Sequence, residues 1–147
     1  MARRIYHYLH YLILIGITVI LFNSCSKDEI KRPSPEAIIA KEAMDLVNSI
    51  KEAYMVQDEE RIKQLIGSEQ VLNNFSFGGE GSRLTSLEFL FRWVDVYDSK
   101  ADVYVSWTGL WKKGSQEIEQ KGFALFVLEG KPFKLMKILR ENPFVRP

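Results

Sequence analysis

The chain changes its hydrophobic period twice. It opens on an almost unbroken apolar block that follows Arg3 and Arg4 and is densest over 11–22. Past a polar stretch, Ile39, Ala43, Leu46, Val47, Ile50 and Tyr54 recur three and four residues apart. That spacing predicts one long amphipathic helix running to about Gln57. Ser34 before Pro35 marks its start, a hydroxyl cap followed by proline at the first helical position. Asp58 can cap a second, shorter helix carrying Ile62, Leu65 and Ile66, with Gly67 as its stop. Residues 68–75 can add a turn or two, and the glycine-rich stretch 78–82 reads as a flexible loop.

From residue 87 the period falls to two. The segments 87–97, 102–111, 117–128 and 133–140 are rich in valine and aromatics, and turns at 98–101, 112–115 and 129–132 separate them. This pattern predicts a four-stranded antiparallel meander. One competing expectation stands beside it. Thr85 and Glu88 form a capping box, and Leu87, Leu90, Phe91 and Val94 fit a helix face, so 87–94 can also be read as helical. Helices followed by a meander give an α+β domain, its N-terminal helices packed on one face of the sheet.

The apolar block has the parts of an export signal: a basic start, an apolar middle and small residues, Asn23 and Ser24, before Cys25. The run Leu21-Phe22-Asn23-Ser24-Cys25 resembles the lipobox of bacterial lipoproteins, although Phe22 holds the place where that family prefers leucine. The resemblance implies cleavage before Cys25, acylation of its thiol and new amine, and a stable anchor from two or three acyl chains. Ser26 follows the cysteine, which implies sorting to the outer membrane, facing the periplasm, in a two-membrane bacterium. The alternative is an uncleaved transmembrane anchor over 5–22, at the short end of what spans a bilayer. The expected division is a signal peptide at 1–24, a lipidated N-terminus and charged, proline-bearing tether at 25–35, and a domain at 36–147.

Two of the 20 basic residues lie in the leader, leaving 18 against 19 acidic ones, a net charge of −1. Nucleic acid is therefore not an expected partner. Cys25 is the only cysteine, and both histidines, His7 and His10, precede it. The part after the leader thus lacks the residues for Ser-His-Asp or Cys-His catalysis and for imidazole or thiolate metal sites. No metal and no cofactor is implied. The loop at 78–82 lacks the Gly-Lys-Ser/Thr ending of a phosphate loop.

Turn lengths allow the sheet faces to be estimated. One face collects Leu90, Arg92, Val94, Val103, Val105, Trp107, Trp111, Gly122, Ala124, Phe126, Leu128, Leu135, Lys137 and Leu139. It is the more apolar and should meet the helices, with Gly122 leaving room for the Trp107 indole. The other face collects Phe89, Phe91, Trp93, Asp95, Tyr97, Tyr104, Phe123, Leu125, Met136 and Ile138.

Arg92 and Lys137 are the only charges on the first face, and a buried cation is costly unless paired. With Trp107 and Trp111 they could line a pocket for an anionic or carbonyl-bearing ligand. Alternatively they snorkel at the rim or pair with Asp45 or Glu52. On the second face, Phe89, Phe91, Trp93, Tyr104, Phe123 and Leu125 form a candidate partner surface. Asp95 with Tyr97 or Tyr104 is the one strand-borne pairing suited to acid–base chemistry.

The elements as a set are similar to the nuclear-transport-factor-2-like superfamily, in which a curved sheet cups a long N-terminal helix. The likeness rests on Ile50-Lys51-Glu52-Ala53-Tyr54 running into Asp58-Glu59-Glu60-Arg61, and on 122–139 closed by Glu141-Asn142-Pro143-Phe144. The resemblance implies sheet-to-sheet dimers. Its members include isomerases, dehydratases and domains without chemistry, so fold cannot supply the function. The expectation is a lipid-anchored envelope protein with a non-catalytic domain that binds a small ligand, an envelope partner or itself. An acid–base isomerase or dehydratase and an accessory docking subunit are the alternatives.

Overall fold

The computed structural model describes residues 32–77 and 82–147. The leader, Cys25, most of the tether and most of the 78–82 loop lie outside the described residues, and the expectations placed on them are not addressed by it. No helix among the described residues is long and apolar enough to cross a membrane.

Helix α1 spans Pro35–Met55, and the Ser34 hydroxyl accepts a hydrogen bond from the Ala37 N–H at 3.2 Å. Its buried stripe is Ala43, Val47, Ile50, Ala53 and Tyr54, the three- and four-residue spacing of one helix face. Helix α2 spans Glu59–Leu65, and its Asp58 cap accepts from the Arg61 N–H at 3.0 Å. Helix α3 is the single turn Glu69–Leu72.

Gly67 does not end α2 by adopting a left-handed conformation. Ile66 is already extended, at φ −98° and ψ 136°. The Gly67 N–H donates to the Leu135 carbonyl at 3.0 Å, and a Cβ at Gly67 would sit 2.6 Å from the Met136 sulfur. Glycine fits there without a shift of the Met136 side chain or of the Lys134 Cβ, which would lie 3.1 Å away.

Four strands follow: β1 Arg83–Tyr97, β2 Lys100–Lys113, β3 Gln116–Glu129 and β4 Lys134–Arg140. They form one antiparallel sheet in the order β1-β2-β3-β4. The α+β architecture, with α1 packed on β1 and β2, is thus the one expected. Residues 87–94 are strand, not helix. The Thr85 hydroxyl, the would-be cap, donates instead to the Leu110 carbonyl at 2.9 Å.

Three bulges reset which side chains face which way, the first leaving Thr85 extra between Leu84, opposite Trp111, and Ser86, opposite Leu110. Phe91 pairs with Val105 and Trp93 with Tyr104, leaving Arg92 as an extra residue in β1. Val127 pairs with Lys137 and Leu128 with Leu135, leaving Met136 extra in β4. Directly opposed residues share a face, so each bulge inverts the alternation beyond it.

The core fills the space between helices and sheet with Tyr54, Trp111, Phe126, Leu128, Leu135 and Phe144, all essentially inaccessible. Phe144 stacks on Phe75 with centroids 4.5 Å apart. The Tyr54 hydroxyl donates to the Phe144 carbonyl at 2.9 Å and reaches the Ser76 carbonyl at 3.3 Å. The C-terminal segment therefore closes the core and does not cover the far face of the sheet.

Candidate association surface

The two middle strands place their residues as alternation dictates. Val103, Val105, Trp107, Trp111, Ala124, Phe126 and Leu128 are buried toward the helices. Trp107 is paired with Gly122, and a Cβ on Gly122 would sit 2.7 Å from its indole. Trp107 and Trp111 meet edge to face at 6.4 Å. Trp107 Nε1 donates to the Glu141 carbonyl at 3.1 Å, whereas the buried Trp111 Nε1 has no acceptor among the described residues.

The edge strands depart from the expected faces. Phe89 and Phe91 oppose Trp107 and Val105, so both pack on the core and leave the expected partner surface. Leu90 opposes Ser106 on the outer face and is 56% exposed. Arg92 points outward too, its Nε donating to the Ser106 hydroxyl at 2.8 Å. In β4, Lys137 and Leu139 oppose Val127 and Leu125 on the outer face, while Ile138 turns to the core. The expected four-residue pocket is thereby divided between the two faces of the sheet: Trp107 and Trp111 lie inside, Arg92 and Lys137 outside.

Three surface grooves place these residues further. One of about 550 Å³ runs along the outer face over Glu88-Phe89-Leu90, Arg92, Ser106-Trp107-Thr108 and Lys121-Gly122. A second, of about 520 Å³, lies beside α3 and β4 and includes Ser68, Asn74, Met136 and Lys137. A third, of about 490 Å³, is lined by Trp107, Gln120, Glu141, Asn142 and Arg146. Arg92 and Trp107 share a groove, but neither shares one with Lys137.

What the sheet does assemble is an aromatic outer face. Trp93 stacks on Tyr104 at 4.2 Å with planes 24° apart, and Phe123 lies 5.9 Å from Trp93 and 6.3 Å from Tyr104. Leu125 and Leu139 continue that row across β3 and β4. The Arg140 guanidinium caps the Phe123 ring at 5.1 Å, brought there by a positive φ of 68°. Leu90, Trp93 and Leu139 are each about half exposed.

On one flank of this row Asp95 opposes Asp102 directly across the ladder. The turn is only Asp98-Ser99, shorter than the expected 98–101, and β2 already begins at Lys100. Among the described residues no cation lies within ion-pair distance of either carboxylate. Their field is felt next door, where the Tyr97 hydroxyl is held above its ordinary pKa, mainly by the Asp95 charge. A phenol shifted in that direction is a weaker acid at neutral pH.

Comparison with known proteins adds the fold. No protein-family model and no curated protein matches the chain. The domain is similar to a protein from Exiguobacterium sibiricum 255-15, crystallised as a candidate Ca/calmodulin-dependent kinase II association domain. The TM-score is 0.57 at 13% identity, over 76% of this chain and 98% of that one. At that identity the likeness is one of architecture.

Sequence reasoning found Trp93, Tyr104, Phe123 and Leu125 for the outer face. It missed Leu90, Leu139 and Arg92 there, because their orientation depends on the bulges.

Proposed function

We propose that this chain is a lipid-anchored cell-envelope protein, held through Cys25, whose nuclear-transport-factor-2-like domain is a non-catalytic association module. The observation that carries the association reading is the outer sheet face, where Trp93, Tyr104, Leu125 and Leu139 follow one another across the four strands, with Phe123 against the first two and Leu90 exposed in the next row. Large exposed aromatic patches mark interaction sites, and tryptophan and tyrosine are favoured anchors at interfaces. The packed interior supports the same reading, since Trp107 and Trp111 are used in filling the core. The fold shared with a protein described as an association domain is in keeping with it. The acid–base alternative finds less support: Asp95 lies on the open face beside a second carboxylate, with a tyrosine that holds its proton more tightly.

The anchor and the association are tested separately in the exported full chain. Cys25→Ala should abolish the lipid-shifted mass and release the protein from membranes; an unchanged mass and partition would remove the anchor from the account. Detergent-extracted wild type should have the mass of an assembly, and Trp93→Glu that of a single chain with unchanged circular dichroism. A wild-type protein of single-chain mass at every concentration would overturn the association reading.

A further inference from the structure

Strand β3 outruns its neighbour. It has 14 residues against 7 in β4, which pairs only with Ala124–Glu129. One step further the Phe123 carbonyl accepts from the Glu141 N–H at 3.3 Å, and the Phe123 N–H donates to Glu141 Oε2 at 3.0 Å. A side-chain carboxylate thus ends the ladder where a main-chain carbonyl would continue it. The chain then leaves through Asn142 and Pro143 to bury Phe144. Hydrogen-bonding residues alternate along an antiparallel ladder, so the outward direction of the Phe123 groups repeats at Lys121, Glu119 and Glu117. Those three residues are exposed and have no main-chain partner on that side among the described residues. Beside them lies the groove of about 490 Å³, lined by Gln120 and Lys121 of β3, by Trp107, and by Glu141, Asn142, Val145 and Arg146 of the C-terminal segment.

We infer that this open edge of β3 is a binding site of its own, which takes an extended segment of another protein as a strand continuing the line of β4. It is independent of the outer face and of association through it. A strand added to a sheet edge draws affinity from main-chain hydrogen bonds and specificity from alternate side chains. Glu117, Glu119 and Lys121 each offer one N–H and one carbonyl, over about 14 Å of edge. A strand in line with β4 runs antiparallel to β3, so its alternate residues oppose Lys121, then Glu119, then Glu117. Directly opposed side chains share a face and favour opposite charge. The fitting segment is therefore acidic at the first of these positions and basic at the other two. Its intervening side chains turn to the helix side, beside the half-buried Ile118 and Gln120. Charges on an edge strand deter indiscriminate pairing; these also select, since they accept one charge order and repel its reverse. The exposed Lys121–Glu119 ion pair, at 2.9 Å, is exchanged for cross-strand pairs at little cost. A second copy fits less well, because antiparallel pairing centred on this edge sets Glu119 of one copy against Glu119 of the other.

The probe is the blocked pentapeptide acetyl-Glu-Val-Lys-Val-Lys-amide, added at millimolar concentration to the full-length, detergent-extracted protein and followed by amide hydrogen exchange. Without peptide, the Glu117, Glu119 and Lys121 amides should exchange at least about tenfold faster than those of Ile118, Gln120 and Gly122, which face β2. The peptide should slow the first three at least about tenfold. N-methylation of its central lysine, whose N–H would face β3, should abolish that protection, and N-methylation of a valine should not. The reversed charge order, acetyl-Lys-Val-Glu-Val-Glu-amide, should bind at least about tenfold more weakly. Glu119→Pro removes an outward N–H while sparing the ladder to β2, and it should abolish binding. Should that variant unfold, the two N-methylated peptides decide the matter on the wild-type chain. No protection at Glu117, Glu119 and Lys121, protection on β1 in its place, or indifference to the N-methyl position would overturn the inference. Protection already present without peptide would overturn it too, pointing to the chain's own tether if it survives dilution and to a second copy if it does not. Failure here leaves the outer-face association standing, since that is read by mass with no peptide present.

Discussion

Trp93 stacks on Tyr104 at 4.2 Å on the outer face, while Phe91, two positions earlier in sequence, packs inward against Val105. Two residues of equal parity on one strand face opposite ways because Arg92 is an extra residue between them. That single insertion switches which parity of β1 feeds the core, from Leu87, Phe89 and Phe91 before it to Val94 and Val96 after it.

Deleting Arg92 should therefore be tolerated. Phe91 and Trp93 already pair with the consecutive residues Val105 and Tyr104, so removal leaves a regular ladder and changes stability by no more than about 1–2 kcal/mol. Deleting Leu90 should be far worse. The chain can then close up only by moving Phe91 outward and Arg92 into the core, at a cost of about 3 kcal/mol or more. Denaturant unfolding of the two deletion variants measures the contrast, and equal losses would contradict the register.

Gly122→Ala tests the close packing of Trp107. The added methyl would lie 2.7 Å from the indole, so the ring must shift, costing about 1–3 kcal/mol. Adding Trp107→Leu should make the alanine nearly neutral, and the coupling is read from the double-mutant cycle.

Tyr54 should make stability pH-dependent at the alkaline end. Burial, the largest influence, raises its hydroxyl above the ordinary value of 10.0, partly opposed by Arg146. A group raised on folding contributes stability that is complete below its unfolded value and is lost as pH rises through the folded one. The stability difference between wild type and Tyr54→Phe should thus be flat below about pH 10 and shrink above it. At neutral pH that difference should be about 1–3 kcal/mol, since the Phe144 carbonyl loses its donor. Urea titrations of both proteins across this range provide the measurement.

Much of the fold could be read directly because local signals agree with one another. Ser34 and Pro35 set the start of α1, Asp58 that of α2, and alternation places Val103, Val105, Trp107, Trp111, Ala124, Phe126 and Leu128 on the buried face of β2 and β3, while the buried Ala101 falls in the expected turn. The edge strands were less legible. A bulge leaves no mark in composition: Phe-Leu-Phe-Arg-Trp alternates no differently with one extra residue than without it. The error was systematic, exchanging Phe89 and Phe91 for Leu90 and Arg92 in β1, and Ile138 for Lys137 and Leu139 in β4. Of the candidate association surface, the aromatic centre is visible in the sequence. Its charged flank is not, because alternation alone puts Arg92 on the inner face and the turn expected at 98–101 is in fact only Asp98-Ser99, which sets Asp95 opposite Asp102.

The most direct measurement is proximity in the membrane itself. With Cys25 acylated as proposed, a cysteine introduced at Leu90 would be the one free thiol in the chain. In membranes of producing cells a short bis-maleimide should link Leu90→Cys into a covalent two-chain species. Ile38→Cys, equally exposed on α1 at 55%, should not be linked. Absence of the Leu90→Cys product, or an equal yield from both positions, would contradict pairing through the outer face.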